Sequence, residues 1–240
     1  MEVEIYKMLS RYYDNDWGQY ALKYIDLLSA LCKEHRIDSA EILDLGCGSG
    51  TLAYELAILG HKITGLDKSS DMIEIARHKC RNHPQVKFKV GDMAEFKLER
   101  KFDLITCTYD SINYLTGKVQ LQNCFRNISE HLKPDGLFVF DSNTAYKYER
   151  LSNQIYTHDF KGEKITQRCT YDNKSRLSTT EFVLPDGSTE SHIQRPYGRD
   201  DLVPYFAKNA LEFRHVFGSF KRGVYNETSM RLIGIVQKIS

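Results

Sequence analysis

Ile42–Leu43–Asp44–Leu45–Gly46–Cys47–Gly48–Ser49–Gly50 is the stretch that decides how the rest of the chain is understood. An apolar run suited to a buried strand leads into three alternate glycines, and Thr51–Leu59, with helical spacing, follows at once. Glycines at such a turn let the backbone approach a ligand closely, and the first amides of the helix have no partner within it. Three glycines in five residues are more than a plain strand-to-helix turn needs. They point to a bound nucleoside cofactor.

Two details narrow that ligand. A dinucleotide site asks for G-x-G-x-x-G, whose third glycine lets the helix pack beneath a pyrophosphate. Counted from Gly46 the third place is Thr51, and the third glycine is Gly50 instead. Asp44 stands just before the loop, where a carboxylate repels a pyrophosphate and attracts a cation. The expected cofactor carries positive charge and no phosphate, as S-adenosylmethionine does with its sulfonium and ammonium groups.

Working outward, short apolar runs at Glu41–Leu45, Lys62–Leu66, Val86–Val90, Phe102–Cys107 and Gly136–Phe140 read as buried parallel strands. Helical segments alternate with them: Thr51–Leu59, Asp71–Arg81 behind the capping pair Ser69–Ser70, and Val119–Leu132. The last ends at Lys133–Pro134–Asp135–Gly136, a turn into the next strand. This alternation predicts an α/β fold, a Rossmann-like doubly wound sheet. Ahead of it lie an aromatic segment, Ile5–Tyr13, and an amphipathic helix over Tyr20–Arg36. After residue 150 the texture turns β-rich, with strands at Ile155–Phe160, Lys164–Asp172, Arg176–Leu184 and Thr189–Pro196. Pro185–Asp186–Gly187 is a hairpin signal among them. Because Asp200–Asn209 (helix), Glu212–Phe217 and Arg231–Ile239 (strands) resume the α/β pattern, residues 154–198 are expected to form an antiparallel insertion in a single domain spanning 1–240.

The motif Asp44-x-Gly46-x-Gly48-x-Gly50 resembles motif I of the class I S-adenosylmethionine-dependent methyltransferases, and the later landmarks keep that family's order. Asp67 ends the second strand, where the resemblance implies a carboxylate shared by two ribose hydroxyls. Asp92 and Met93, in Gly91–Asp92–Met93, fall where the family meets the adenine amino group and ring. Thr108–Tyr109–Asp110 falls beside the methionine part. The cofactor set expected on these grounds is Asp44, Gly46, Cys47, Gly48, Gly50, Asp67, Lys68, Asp92, Met93 and Tyr20. Arg100–Lys101–Phe102 through Asp110–Ser111–Ile112–Asn113–Tyr114–Leu115 is similar to the sugar N-methyltransferase and glycine N-methyltransferase group. That likeness implies an antiparallel last strand in the main sheet and a β insertion after the fifth strand that acts as acceptor lid. It also implies an opening segment (1–37, with Tyr12–Tyr13–Asp14 and Trp17 to Tyr20) folded over the cofactor.

Composition fits a small-molecule enzyme. Lys plus Arg is 33 against 32 for Asp plus Glu, a formal net charge of +1, so no basic field awaits a phosphate backbone. Runs such as Arg77–His78–Lys79 read as solvated faces. The N/D-P-P-Y/F sequence of amino-group nucleic-acid methyltransferases is replaced by Thr108–Tyr109–Asp110–Ser111. No nucleic-acid acceptor is expected. The six cysteines show no metal-ligand spacing, no metal is called for, and no apolar run suits a signal peptide or membrane span, so a cytoplasmic location is expected.

Methyl transfer needs alignment, exclusion of water and an exit for a proton. Candidate catalytic residues are Asp110, Tyr109 and Tyr13, with Asn113 and Tyr114 nearby and His158, His192 and Arg195 in the insertion. Asp110 would hold an ammonium or strip its proton; capping the following helix, with Asn113, is the structural alternative. The expected activity is methylation of a small molecule, at N before O. A nicotinamide-dependent oxidoreductase on the same sheet and a non-catalytic S-adenosylmethionine-binding module are the alternatives; oligomeric state is not legible.

Overall fold

The computed structural model describes residues 5–14, 17–35 and 37–239 of the chain. Seven strands form the main sheet: β1 (Glu41–Leu45), β2 (Lys62–Asp67), β3 (Val86–Val90), β4 (Phe102–Cys107), β5 (Leu132–Asn143), β10 (Leu211–Phe217) and β11 (Arg231–Lys238). Their order is β3-β2-β1-β4-β5-β11-β10. β1 to β5 pair in parallel, and β11 runs antiparallel to both neighbours, β5 and β10. The expected strands, and the antiparallel last one, are all present.

Alternation along each strand separates two cores. Leu43, Ile105, Phe138 and Phe140 face α5 (Lys118–His131) and α7 (Arg199–Ala207), meeting Phe125, Ile128 and Phe206. Ile42, Leu104, Val139 and Ile235 face α2 (Ile25–Glu34) and α3 (Thr51–Ile58), meeting Leu28, Leu31, Leu52 and Leu56. Burial on both faces is why these strands read as unbroken apolar runs. A fourth helix, α4 (Ser70–Lys79), is capped by Ser69, whose hydroxyl accepts from the Met72 amide at 3.3 Å.

Residues after β5 form the separate antiparallel sheet β6-β7-β8-β9 (Ile155–Phe160, Glu163–Asp172, Leu177–Val183, Thr189–Gln194). Its inner side packs Phe160, Ile165 and Phe182 against Leu9, Tyr6, Tyr12 and Trp17 of the N-terminal segment. That segment includes the short helix α1 (Ser10–Tyr13).

Two expectations are corrected, and one helix is added. The helix expected over Tyr20–Arg36 is a 3-10 stretch, Trp17–Tyr24, followed by α2; its expected end, Arg36, lies outside the described residues. The Lys133–Gly136 turn is an irregularity inside β5, since Phe102 pairs with Leu132 but Leu104 with Leu137. A further helix, α6 (Ala145–Leu151), capped by Thr144, links β5 to the insertion; its seven residues are too few to show a helical period.

Candidate active site

Strand order reverses between β1 and β4, and ligands of open α/β sheets bind outside the carboxyl ends at that point. A cavity of about 600 Å³ lies there, lined by Asp44, the glycine loop, Asp67, Lys68, Asp92, Met93, Thr108, Tyr109 and Tyr13. Gly46 and Gly48 have φ of +65° and +51°, a left-handed backbone that disfavours side chains. A Cβ on Gly46 would lie 2.6 Å from Ser111 Oγ, so the chain passes there only bare. Gly50 has another purpose. It opens α3, and a Cβ on it would meet Ala76 at 2.8 Å, away from the cavity lining.

Three carboxylates follow one another along the edge. Asp44 is 1% exposed and accepts from Thr106 Oγ1 at 2.8 Å. Burial pushes its carboxyl up to about 7, against the pull of that hydroxyl. Asp67 spans the first crossover, its oxygens accepting from the Gly48 amide at 2.8 Å and the Ser69 amide at 2.9 Å. Its carboxyl is also raised by burial, which those amides oppose. Asp92 accepts from the Ala94 amide at 2.8 Å and from Lys68 Nζ at 3.2 Å.

The N-terminal segment closes the open side at two points. Asp14 bonds Ser49 Oγ, and Lys79 Nζ reaches Asp14 at 3.0 Å and Thr51 at 2.6 Å. Lys79 was expected in a solvated run; it points inward because Asp14 supplies an opposite charge at the loop. At the other point Glu190 accepts from the amides of Tyr6 at 2.6 Å and Met8 at 2.7 Å. Tyr13 lies over the loop, its ring 3.8 Å from where a Gly48 Cβ would stand. Tyr20 stacks on Tyr109 with centroids 4.9 Å apart, and its neighbour Ala21 lines the cavity instead.

Past β4, Tyr109 and Asp110 both adopt positive φ, 58° and 54°. The turn is held from beneath. Arg231 of β11 pairs with Asp141 and, at 3.2 Å, with Asp110; Asp141 also accepts from Tyr24 and from the Asp110 amide at 3.1 Å. Asp110 accepts from Gln194 as well, at 2.9 Å, and its side chain caps no helix. Asn113 is fully buried and bonds the backbone of Asn143 and Arg195, tying β5 to the end of β9. Arg195 bonds Thr116 and Ser175 carbonyls. His158 meets Gln167 at 2.8 Å and the edge of Trp17.

A second cavity of about 150 Å³ adjoins the first and shares Tyr6, Tyr13, Tyr109 and Tyr114 with it. Asp110, Lys147, Tyr148, His192 and Gln194 line its far part. Tyr6, Glu190, Gln194 and Arg231 were not among the residues singled out from sequence. One signal was present: Glu190-x-His192-x-Gln194 puts three polar side chains on one face of a strand, and that face is the buried one. Among the described residues no group of three or more His, Cys, Asp or Glu side chains is placed to hold a metal ion.

Comparison with known proteins agrees with this geometry. A family model described as a methyltransferase domain matches residues 42–136. An S-adenosylmethionine-dependent methyltransferase from Clostridium acetobutylicum superposes with a TM-score of 0.85 at 25% identity, over 99% of this chain and 100% of that one. The dTDP-3-amino-3,6-dideoxy-alpha-D-glucopyranose N,N-dimethyltransferase of Streptomyces fradiae is 36% identical over 114 residues, 48% of this chain and 44% of that enzyme. The cypemycin N-terminal methyltransferase of a Streptomyces species is 23% identical, over 88% of this chain and 89% of that enzyme. The dinucleotide alternative falls away on Thr51 and these likenesses together. With its matched motif segment, its sheet order and a buried carboxylate beneath the glycine loop, the chain has the fold and the motifs of an S-adenosylmethionine-dependent methyltransferase.

Proposed function

We propose that the protein methylates an amine nitrogen of a small molecule, with the cofactor in the larger cavity and the acceptor in the smaller one. The observation that carries this is the junction of the two cavities, ringed by four tyrosines with the Asp110 carboxylate behind them. Aromatic faces and a carboxylate attract an ammonium group and its partial-charge relatives. The Streptomyces relatives are named for an amino sugar and for the N-terminus of cypemycin, both amines. The near-neutral charge favours a small acceptor over a nucleic acid.

The residues fit the cofactor. Asp44, with its carboxyl raised by burial, is stabilised as an anion by a nearby cation; Gly46, Cys47 and Gly48 leave room for a close approach. Asp67 retains lone pairs for two ribose hydroxyls, Asp92, paired with Lys68, would accept from the adenine amino group, and Met93 would pack on the ring. Bound S-adenosylmethionine supplies an electrophilic methyl group on a positive sulfur. Tyr13 and the N-terminal segment exclude water from it. The insertion, 154–198, walls the acceptor side, and Asp110, held by Arg231, sets the field there and leaves proton removal to another group.

Mass spectrometry of the protein incubated with S-adenosylmethionine and a panel of amino sugars, amino-terminal peptides and matched hydroxyl compounds tests this. Methyl addition to amines is expected. Methylation confined to the hydroxyl compounds would overturn the assignment to nitrogen.

A further inference from the structure

Every polar group between the second cavity and Glu190 has a hydrogen-bond partner, and the partners impose a direction. Glu190 accepts three backbone amides, from Tyr6, Met8 and Leu9, and can only accept from His192 Nε2, 2.7 Å away. A neutral His192 therefore carries its proton on Nε2, and its Nδ1 then accepts from the Tyr114 hydroxyl at 2.7 Å. The Tyr114 oxygen then accepts from the Tyr6 hydroxyl at 3.0 Å. The lone pairs of Tyr6 are left to accept from whatever fills the cavity it lines.

We propose that Tyr6, Tyr114, His192 and Glu190 form a one-way relay that takes the proton of the acceptor amine, and that docking of the N-terminal segment completes it. This rests on amine transfer as proposed above. The nitrogen lone pair forms the new N–C bond, the methyl–sulfur bond breaks with its electron pair left on sulfur, and one N–H proton passes to Tyr6. Tyr6 hands its own proton to Tyr114, and Tyr114 hands its own to His192 Nδ1. The imidazolium so formed lies against the Glu190 carboxylate. Burial holds both tyrosines well above their ordinary range, so they transmit protons and do not keep a charge. Burial opposes the charge of Glu190, but His192 and the Met8 and Leu9 amides outweigh it and hold its carboxyl below the usual range.

The groups packed on the imidazole are the Tyr6 ring at 4.7 Å, the Phe182 ring at 5.2 Å, Tyr114 and Glu190; Asp110 and Lys147 share its cavity. Tyr6 would touch the acceptor. Tyr114, His192 and Glu190 act through it, and Glu190 has a double part. The same carboxylate pins the N-terminal segment and polarises the histidine, so the relay exists only when the site is shut.

Two measurements test it. The first is a two-bond ¹⁵N–¹H spectrum of histidine-labelled protein, with His192 assigned by its loss in H192Q. A protonated Nε2 and a bare Nδ1 that shifts in Y114F are expected; a proton on Nδ1 would overturn the relay. The second is kcat against pH for wild type, Y6F and H192Q, with dTDP-3-amino-3,6-dideoxy-alpha-D-glucopyranose and an amino-terminal peptide as probes. Y6F and H192Q should bind S-adenosylmethionine as the wild type does, lose about 100-fold in kcat, and change the shape of the profile. Unchanged rates and profiles in both variants, beside an active wild type, remove the relay alone. A wild type that methylates neither amine removes amine transfer, and the relay with it.

Discussion

The two halves of the site are built differently. On the cofactor side, Asp44, the glycine loop, Asp67 and Asp92 follow one another at the ends of adjacent parallel strands. On the proposed acceptor side, Tyr6, Tyr109, His192 and Arg231 come from the N-terminal segment, a loop, the insertion and the last strand. The first half is set by local turns, the second by long-range contacts. Damage to the acceptor half should therefore spread into stability, whereas damage to the cofactor half should appear first as lost binding.

Arg231→Met should show the largest effect. It leaves Asp141, fully buried, and Asp110 without their cation, and breaking such a pair costs about 3–5 kcal/mol. Denaturant unfolding measures it, and a midpoint like that of the wild type would mean that the network beneath Tyr109 is not structural. Next comes Gly46→Ala, with a strained φ of +65° and Ser111 Oγ in the way. Calorimetry should register about 10- to 100-fold weaker S-adenosylmethionine binding, since backbone strain of this kind costs about 1–3 kcal/mol.

Asp44 sharpens the contrast through pH. With its carboxyl raised to about 7, the ligand-free protein holds a proton there at lower pH, and a cationic cofactor must displace it. Affinity should fall by up to about tenfold per pH unit below 7, and Asp44→Asn should flatten that slope. The folded protein keeps this proton longer than the unfolded chain, so the stabilisation is complete in acid and is lost as pH rises from about 4 to 7. Ligand-free Tm should carry that downward contribution in the wild type and lack it in Asp44→Asn. Lys79→Ala should matter least. Its pair with Asp14 is 23% and 39% exposed, so the stability loss should be about 0.5 kcal/mol, with N-terminal amide exchange rising before Tm moves.

Much of the cofactor half was legible because its signals are contiguous. A glycine with positive φ, a strand end and a following carboxylate lie within a few residues of one another, and each leaves a local mark. Even there the part Gly50 plays in helix contact, against Ala76 and Phe88, shows only in the packing. Likewise, the stacking of Tyr20 on Tyr109 joins distant segments and leaves no local mark. In the acceptor half Asp110 stood out as a carboxylate in a loop, but its pairing with Arg231 joins residues 121 positions apart and leaves no pattern in the chain.

The sequence alone determined the doubly wound sheet, the phosphate-free cationic cofactor and the β insertion, because hydrophobic periodicity, turn residues and the glycine triplet act over short spans. Tertiary structure decided how the N-terminal segment closes the site, which way hydrogen bonds run from Tyr6 to Glu190, and why Arg231 is buried. Those depend on side chains brought together from distant elements, where burial removes water and each polar group must find its partner in the fold.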